Sequence, residues 1–186
     1  RLVGSEMCIR DSWNTVLDFQ GKDETLLHTI ADRKEHQPEA ISYYKDASKT
    51  ETTDSCSNFG SLQAINVVKR NQSGVILELE LDFQNGAVSV QSEYNMRAIL
   101  GCGITNINLL DGSSVEMSIL PSAYISIQAK GDGTYAVLGG GYGHGIGMSQ
   151  NGAQKLCGQG FDYKRILNYF YQDTELTELY LSLIHI

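Results

Sequence analysis

The sequence predicts an α+β fold in which antiparallel hairpins are followed by two C-terminal helices. Three observations carry that prediction. In Val75–Phe83 the residues Val75, Leu77, Leu79, Leu81 and Phe83 are apolar, with Glu78, Glu80 and Asp82 between them and Ile76 the exception. That is the period of a strand with one buried face. Asn85-Gly86 and Gly131-Asp132-Gly133 each divide two strand-like runs and read as hairpin turns, the first with positive φ. Helical spacing of apolar residues dominates after Met148, so sheet precedes helix, which separates the chain from an alternating parallel α/β architecture.

The elements follow in order. Trp13–Ile30 is a mixed segment with room for one short helix. Glu35–Asn58 is polar, and its Ser/Thr/Asp-rich second half reads as a surface excursion. Ile65–Arg70 is a short strand, Asn71–Gly74 a turn, Val75–Phe83 the alternating strand and Ala87–Gln91 its return. Glu93–Leu100 is a short helix closed by Gly101. Tyr124–Gln128 and Thr134–Leu138 pair through the Gly131–Gly133 turn. In Met148–Cys157, Met148, Ala153, Leu156 and Cys157 share a helical face, which assigns Met148 and Cys157 to the core. Gly158 and Gly160 end that helix. Asp162 caps a last helix, Tyr163–Tyr171, whose apolar side is Ile166, Leu167 and Phe170.

Composition narrows the function. A chain of 186 residues with 41% hydrophobic and 19% charged residues has the make-up of a globular domain. A net charge of −8 without a basic stripe argues against a nucleic-acid groove and against docking on an anionic membrane surface. No apolar run approaches the roughly 20 residues of a spanning helix. Besides Cys8, the cysteines are Cys56, Cys102 and Cys157, too widely spaced for a local zinc site. The sequence predicts no metal and no cofactor. The opening RLVGSEMCIRDS and the tail LSLIHI resemble translated adapter remnants. Residues 1–12 and 181–186 are therefore set aside as non-native, leaving 13–180 as part of one domain.

The stretch GGGYGHGIGMSQNGA, Gly139–Ala153, sets seven glycines around one histidine. Alternating glycines allow positive φ and leave backbone N–H groups open ahead of a helix, a setting suited to binding oxygen atoms. Phosphate is a poor match, because neither GxGxxG nor GxxxxGK[ST] occurs. A sugar suits the side chains better: Tyr142 offers a flat face, His144 one donor and one acceptor, and Ser149 and Gln150 polar groups at the helix start. The candidate substrate-binding residues are thus Tyr142, Gly143, His144, Gly145, Ser149 and Gln150. The competing structural readings are a helix cap for Ser149, cover of the core edge for Tyr142, and an ion pair for Arg97.

Gly141–Leu176, GYGHGIGMSQNGAQKLCGQGFDYKRILNYFYQDTEL, resembles the signature of the stage II sporulation protein D family, the SpoIID/LytB domain. Ile65–Leu81, Arg97 within MRAILG and LPSAYISI (Leu120–Ile127) stand in the order that family shows, and Trp13 matches a tryptophan before them. The resemblance implies extracytoplasmic work at the cell envelope on peptidoglycan glycan strands. It implies either a lytic transglycosylase that cuts denuded strands or an enhancer module whose partner is a cell-wall amidase. It also implies an incomplete, C-terminal part of the domain. The family's general-acid glutamate lies on an upstream AxAVAARTYA-like helix, a string absent from residues 1–186. Glu93 and Glu116 are the available carboxylates, both expected to be solvated, so the catalytic residue stays unassigned and no cleavage is expected of these residues alone.

Overall fold

The computed structural model describes residues 12–45, 50–145 and 147–177. The expected non-native ends lie outside the described residues, apart from Ser12, and Cys8 lies outside them too. The chain divides into two compact units, Arg1–Gly145 and Ile146–Ile186. The architecture is α+β, as the sequence predicts.

Among the described residues the first unit holds ten strands in two antiparallel sheets. β1 (Ser12–Asp18), β7 (Ile107–Leu109), β8 (Ser114–Val115), β9 (Ile125–Ala129) and β10 (Thr134–Gly140) form one sheet in the order β8-β7-β1-β10-β9. β2 (Ile41–Lys45), β3 (Thr50–Thr52), β4 (Leu62–Arg70), β5 (Ile76–Phe83) and β6 (Gly86–Val90) form the other, in the order β3-β2-β6-β5-β4. Two helices, α1 (Asp23–His36) and α2 (Glu93–Gly101), contribute Leu26, Ile30, Met96 and Ile99 to one core shared with Trp13 and Leu17 of the first sheet and Leu79, Leu81 and Val88 of the second. Burial of this apolar surface is the main favourable term in folding.

Five strands, β1, β2, β3, β7 and β8, and the C-terminal part of α1 lie outside the elements the sequence separates. Trp13, Thr15 and Leu17 alternate inward along β1, and α1 runs to His36, beyond the expected end at Ile30. Acidic Asp23 and Glu24 open α1 and basic Arg33, Lys34 and His36 close it, each sign suited to the helix dipole at its end. Ile41 and Tyr43 turn inward from the polar stretch as β2. Central β6 is buried along its whole length. Its one polar side chain, Ser89, donates to Glu78 Oε1 at 3.0 Å.

The alternation in β5 holds from Leu79 onward and breaks before it. Ile76 is buried and Leu77 is exposed. Irregularities in the β4–β5 register at Val67/Lys69 and Lys69/Arg70 leave Val68 and Leu77 without cross-strand partners, and both side chains point outward. The following turn also differs from expectation. Phe83 pairs with Gly86, so Gln84 and Asn85 make the connection, and neither Asn85 nor Gly86 has positive φ. The turn is held instead by Gln84 and Asn85 N–H groups donating to Ser61 O (3.0 Å) and Phe59 O (2.9 Å). Gly86 is needed for space, since a Cβ there would lie 2.8 Å from Tyr44 O.

The three described cysteines are free. Cys56 is buried, and burial pushes its thiol above the ordinary value of 9.0. Burial, with the neighbouring Cys56, also pushes the Tyr43 hydroxyl well above its ordinary 10.0. As pH rises past 9.0, the unfolded chain sheds a thiol proton that the folded chain keeps, so stability falls from there upward. Cys56→Ala should move the onset of alkaline destabilisation up towards the phenol range. Urea unfolding across the alkaline range reads this directly, and an onset unchanged by the substitution would reject the assignment.

The second unit pairs α3 (Gln150–Gly158) with α4 (Tyr163–Phe170). Both are capped by side chains: Ser149 Oγ accepts from Gly152 N–H at 3.1 Å and Asp162 Oδ1 from Arg165 N–H at 2.8 Å. Gly152 permits close helix packing, because a Cβ there would lie 2.9 Å from Phe170 Cζ. The core assignment of Met148 and Cys157 does not hold: both are exposed. The buried stripe is Gly152 and Leu156, one turn apart, and Cys157 sits a further residue round the helix, off that stripe. Met148 precedes the helix, with its N–H donating to Tyr171 Oη at 3.2 Å.

Candidate functional site

The candidate site is built where β10 runs out into the glycine stretch. Gly139 and Gly140 still belong to the strand. From Gly141 onward the described glycines 141, 143, 145 and 147 all have positive φ, between 70 and 102°, while Tyr142 and His144 do not. The alternation of glycine with larger residues is thus a backbone requirement. A Cβ at Gly141 or Gly143 would meet nothing within 4 Å, so conformation and not crowding demands glycine there.

The segment Leu120–Tyr124 fixes this loop from one side. Gly143 N–H donates to Pro121 O at 2.8 Å, and Ser122 forms a parallel bridge with Gly143. The Ser122 hydroxyl, almost fully buried, donates to Gly140 O at 2.8 Å, and Gly140 N–H donates to Tyr124 O at 3.0 Å. From the other side the buried Trp13 indole donates to Gly141 O at 3.1 Å. The N–H groups of Gly140 and Gly143 therefore serve the chain itself, which shortens the expected row of open donors.

Val75, Ser122, Ala123, Tyr124 and the run from Gly140 to Gly145 line a small recess of about 80 Å³. Tyr124 and Gly140 also border a larger recess, of about 470 Å³, with Ser12, Arg70, Gly74, Ser126 and Leu138 on its walls. Tyr124 is 43% exposed and Tyr142 54%. Among the described residues no aspartate or glutamate lines either recess. Of the predicted site residues, the structure brings Tyr142, Gly143, His144 and Gly145 to one wall. Ser149 and Gln150 stand at the head of α3 in the second unit, with Ser149 serving as its cap.

Tyr124 and Arg70 were absent from the predicted set. A signal for Tyr124 existed: buried Ala123 and Ile125 alternate with exposed Tyr124 and Ser126, so the period places the ring outside. Arg97 is the structural ion pair the sequence suggested. Its Nη1 lies 3.1 Å from Glu93 Oε2, and its Nε donates to Leu120 O at 2.8 Å. Glu93, expected to be solvated, is instead largely covered and paired, whereas Glu116 is exposed as expected. Among the described residues no group of three His, Cys, Asp or Glu side chains is placed to hold a metal ion. No described helix is long and apolar enough to cross a membrane.

A family model described as "Domain of unknown function (DUF8618)" matches residues 14–147. The chain belongs to that family. Two curated proteins of Bacillus subtilis (strain 168) are also similar to it. The amidase enhancer is 34% identical over 89 residues, 48% of this chain and 12% of that protein. Stage II sporulation protein D is 36% identical over 76 residues, 40% of this chain and 22% of that protein. The matches therefore span well under half the length of either relative. They bear out the SpoIID/LytB relationship that Gly141–Leu176 carries in sequence, and the DUF8618 match ends within the same glycine run, at Gly147.

Proposed function

We propose that this chain carries a glycan-contact surface of a SpoIID-type protein acting on peptidoglycan at the cell envelope. The observation that supports it best is the wall from Gly140 to Gly145. Positive-φ glycines and four hydrogen bonds hold exposed Tyr142 and His144 beside Tyr124. Aromatic faces and hydrogen-bonding groups on a backbone held at several points match the alternating apolar and hydroxylated surfaces of a sugar. Ser149 and Gln150 remain part of this proposal as polar groups of the second unit.

In this reading the parent protein is a lytic transglycosylase that cuts denuded glycan strands. Such cleavage requires a carboxylic acid placed to protonate the leaving oxygen. Neither recess has one among its described lining residues, so this reading leaves the acid unassigned. The same observation, with the similarity to an amidase enhancer, favours a second reading. There the module is non-catalytic and raises the activity of a cell-wall amidase.

Co-sedimentation with denuded glycan strands tests the shared core of both readings. Binding should be saturable and weaken by about fivefold in His144→Ala, the loss of one hydrogen bond. Full-strength binding by His144→Ala and by Tyr142→Ala would overturn the proposal. Product analysis of the parent protein then separates the two readings, because only the transglycosylase releases anhydro-ended fragments without a partner.

A further inference from the structure

The larger recess differs from the glycine wall in carrying a cation. Arg70 ends β4 at the mouth, with Nη1 donating to Gly74 O at 2.8 Å. That bond orients the guanidinium and leaves its other N–H donors for a ligand. No ion pair joins Arg70 to a carboxylate among the described residues.

The aromatic wall beside it is built with unusual care for a side chain that stays 43% exposed. A Cβ on Gly74 would lie 2.7 Å from Tyr124 Cε2, and one on Gly140 would lie 3.0 Å from Tyr124 Cδ1. Two glycines from separate elements thus make room on opposite edges of one ring. Asn71 Oδ1 accepts from the N–H groups of Ser73 and Val75, which fixes the turn bearing Gly74. Leu138, 66% exposed on β10, adds an aliphatic wall, and its cross-strand partner Ser126 adds a hydroxyl.

We propose that the recess between Arg70, Tyr124 and Leu138 binds a carboxylate-bearing sugar ring, the acidic unit of a denuded glycan strand. The identity of the ring rests on the glycan reading above. Removal of the stem peptide from a muramyl sugar leaves a free lactyl carboxylate, and that group meets the Arg70 guanidinium. The pyranose ring lies against Tyr124 and Leu138. An Arg–carboxylate pair is charge-assisted and geometrically selective. The recess therefore distinguishes acidic from neutral sugars, which the glycine wall, with no fixed charge, does not. A volume of about 470 Å³ accommodates one such unit.

The test is an amide-detected NMR titration of the full chain with N-acetylmuramic acid and, separately, N-acetylglucosamine. The acidic sugar should shift the amides of Arg70, Gly74, Tyr124 and Ser126, and bind about tenfold more tightly than the neutral one. Arg70→Gln should remove that preference without changing the unfolding midpoint, because Arg70 is exposed, and Arg70→Lys should restore it in part. Equal affinity for the two sugars, or a preference that survives Arg70→Gln, would overturn the proposal. Equal affinity for the two sugars in the unsubstituted chain, with strand binding intact, would overturn the recess alone. An acid preference through Arg70 in a chain that ignores glycan strands would instead overturn the strand reading and uphold the recess.

Discussion

Gly139→Ala should destabilise the first unit by about 3 kcal/mol, the upper end of what a single overpacked methyl usually costs. Gly139 pairs directly with Trp13 across the β1–β10 ladder. A Cβ at Gly139 would lie 2.1 Å from Cζ2, 2.2 Å from Cε2 and 2.5 Å from Cη2 of the indole. The ring has nowhere to go. It is 2% exposed, belongs to the central core, and is held by its Nε1 bond to Gly141 O. Its displacement would also release the glycine run. The midpoint of thermal unfolding should fall by roughly 6–12 °C for a domain of this size. Trp13 is the sole tryptophan, so its emission reports the event directly and should shift to the red. Trp13→Phe, with a smaller ring, should relieve part of the clash, so the double variant should be less destabilised than the sum of the two single changes. Strict additivity, or a midpoint within measurement error of the parent, would show that the close approach does not exist.

That pairing illustrates where sequence reading stops. Trp13 and Gly139 meet over more than a hundred intervening residues, and no local period announces it. Local signals served well wherever an element's reason was local. The Asn71–Gly74 turn, the Gly131–Gly133 hairpin, the caps Ser149 and Asp162 and the alternation of Leu79, Leu81 and Phe83 were all legible. They failed where a partner supplied the reason. Gly86 looked like a turn glycine but is small because Tyr44 and Phe59 press on it. Leu77 looked buried but is turned out by irregular pairing with β4.

The candidate site divides in the same way. The glycine run and its exposed Tyr142 and His144 were visible as a motif, because positive φ is written in residue type. Tyr124 and Arg70 were not, because their proximity depends on a β4–β5 turn meeting the β9–β10 hairpin. Glycine therefore has three different jobs around one site. It admits positive φ in the run, it clears space for Trp13 at Gly139, and it seats Tyr124 at Gly74 and Gly140. Sequence alone shows only the first of these.

Gly101→Ala should be comparably damaging, and its effect should reach the site. Gly101 ends α2, and a Cβ there would lie 2.2 Å from Ser118 O, 3.0 Å from Ser118 C and 3.2 Å from Ile119 Cα. These are backbone atoms, which cannot swing aside as a side-chain tip can. Two further bonds, Leu120 N–H to Arg97 O at 3.2 Å and Arg97 Nε to Leu120 O at 2.8 Å, clamp the same segment to α2. To admit a methyl group, residues 118–120 must move off the helix, and the covered Glu93–Arg97 pair loses part of its setting. Overpacking of this kind costs about 3 kcal/mol. Pro121 and Ser122 follow immediately and anchor Gly143 and Gly140, so the displacement is transmitted to the wall bearing Tyr142 and His144. The variant should therefore lose both stability and glycan affinity, measured well below its unfolding midpoint. Retained affinity in a destabilised protein would mean that the glycine wall holds its shape through Trp13 and β10 alone, without the segment that α2 carries.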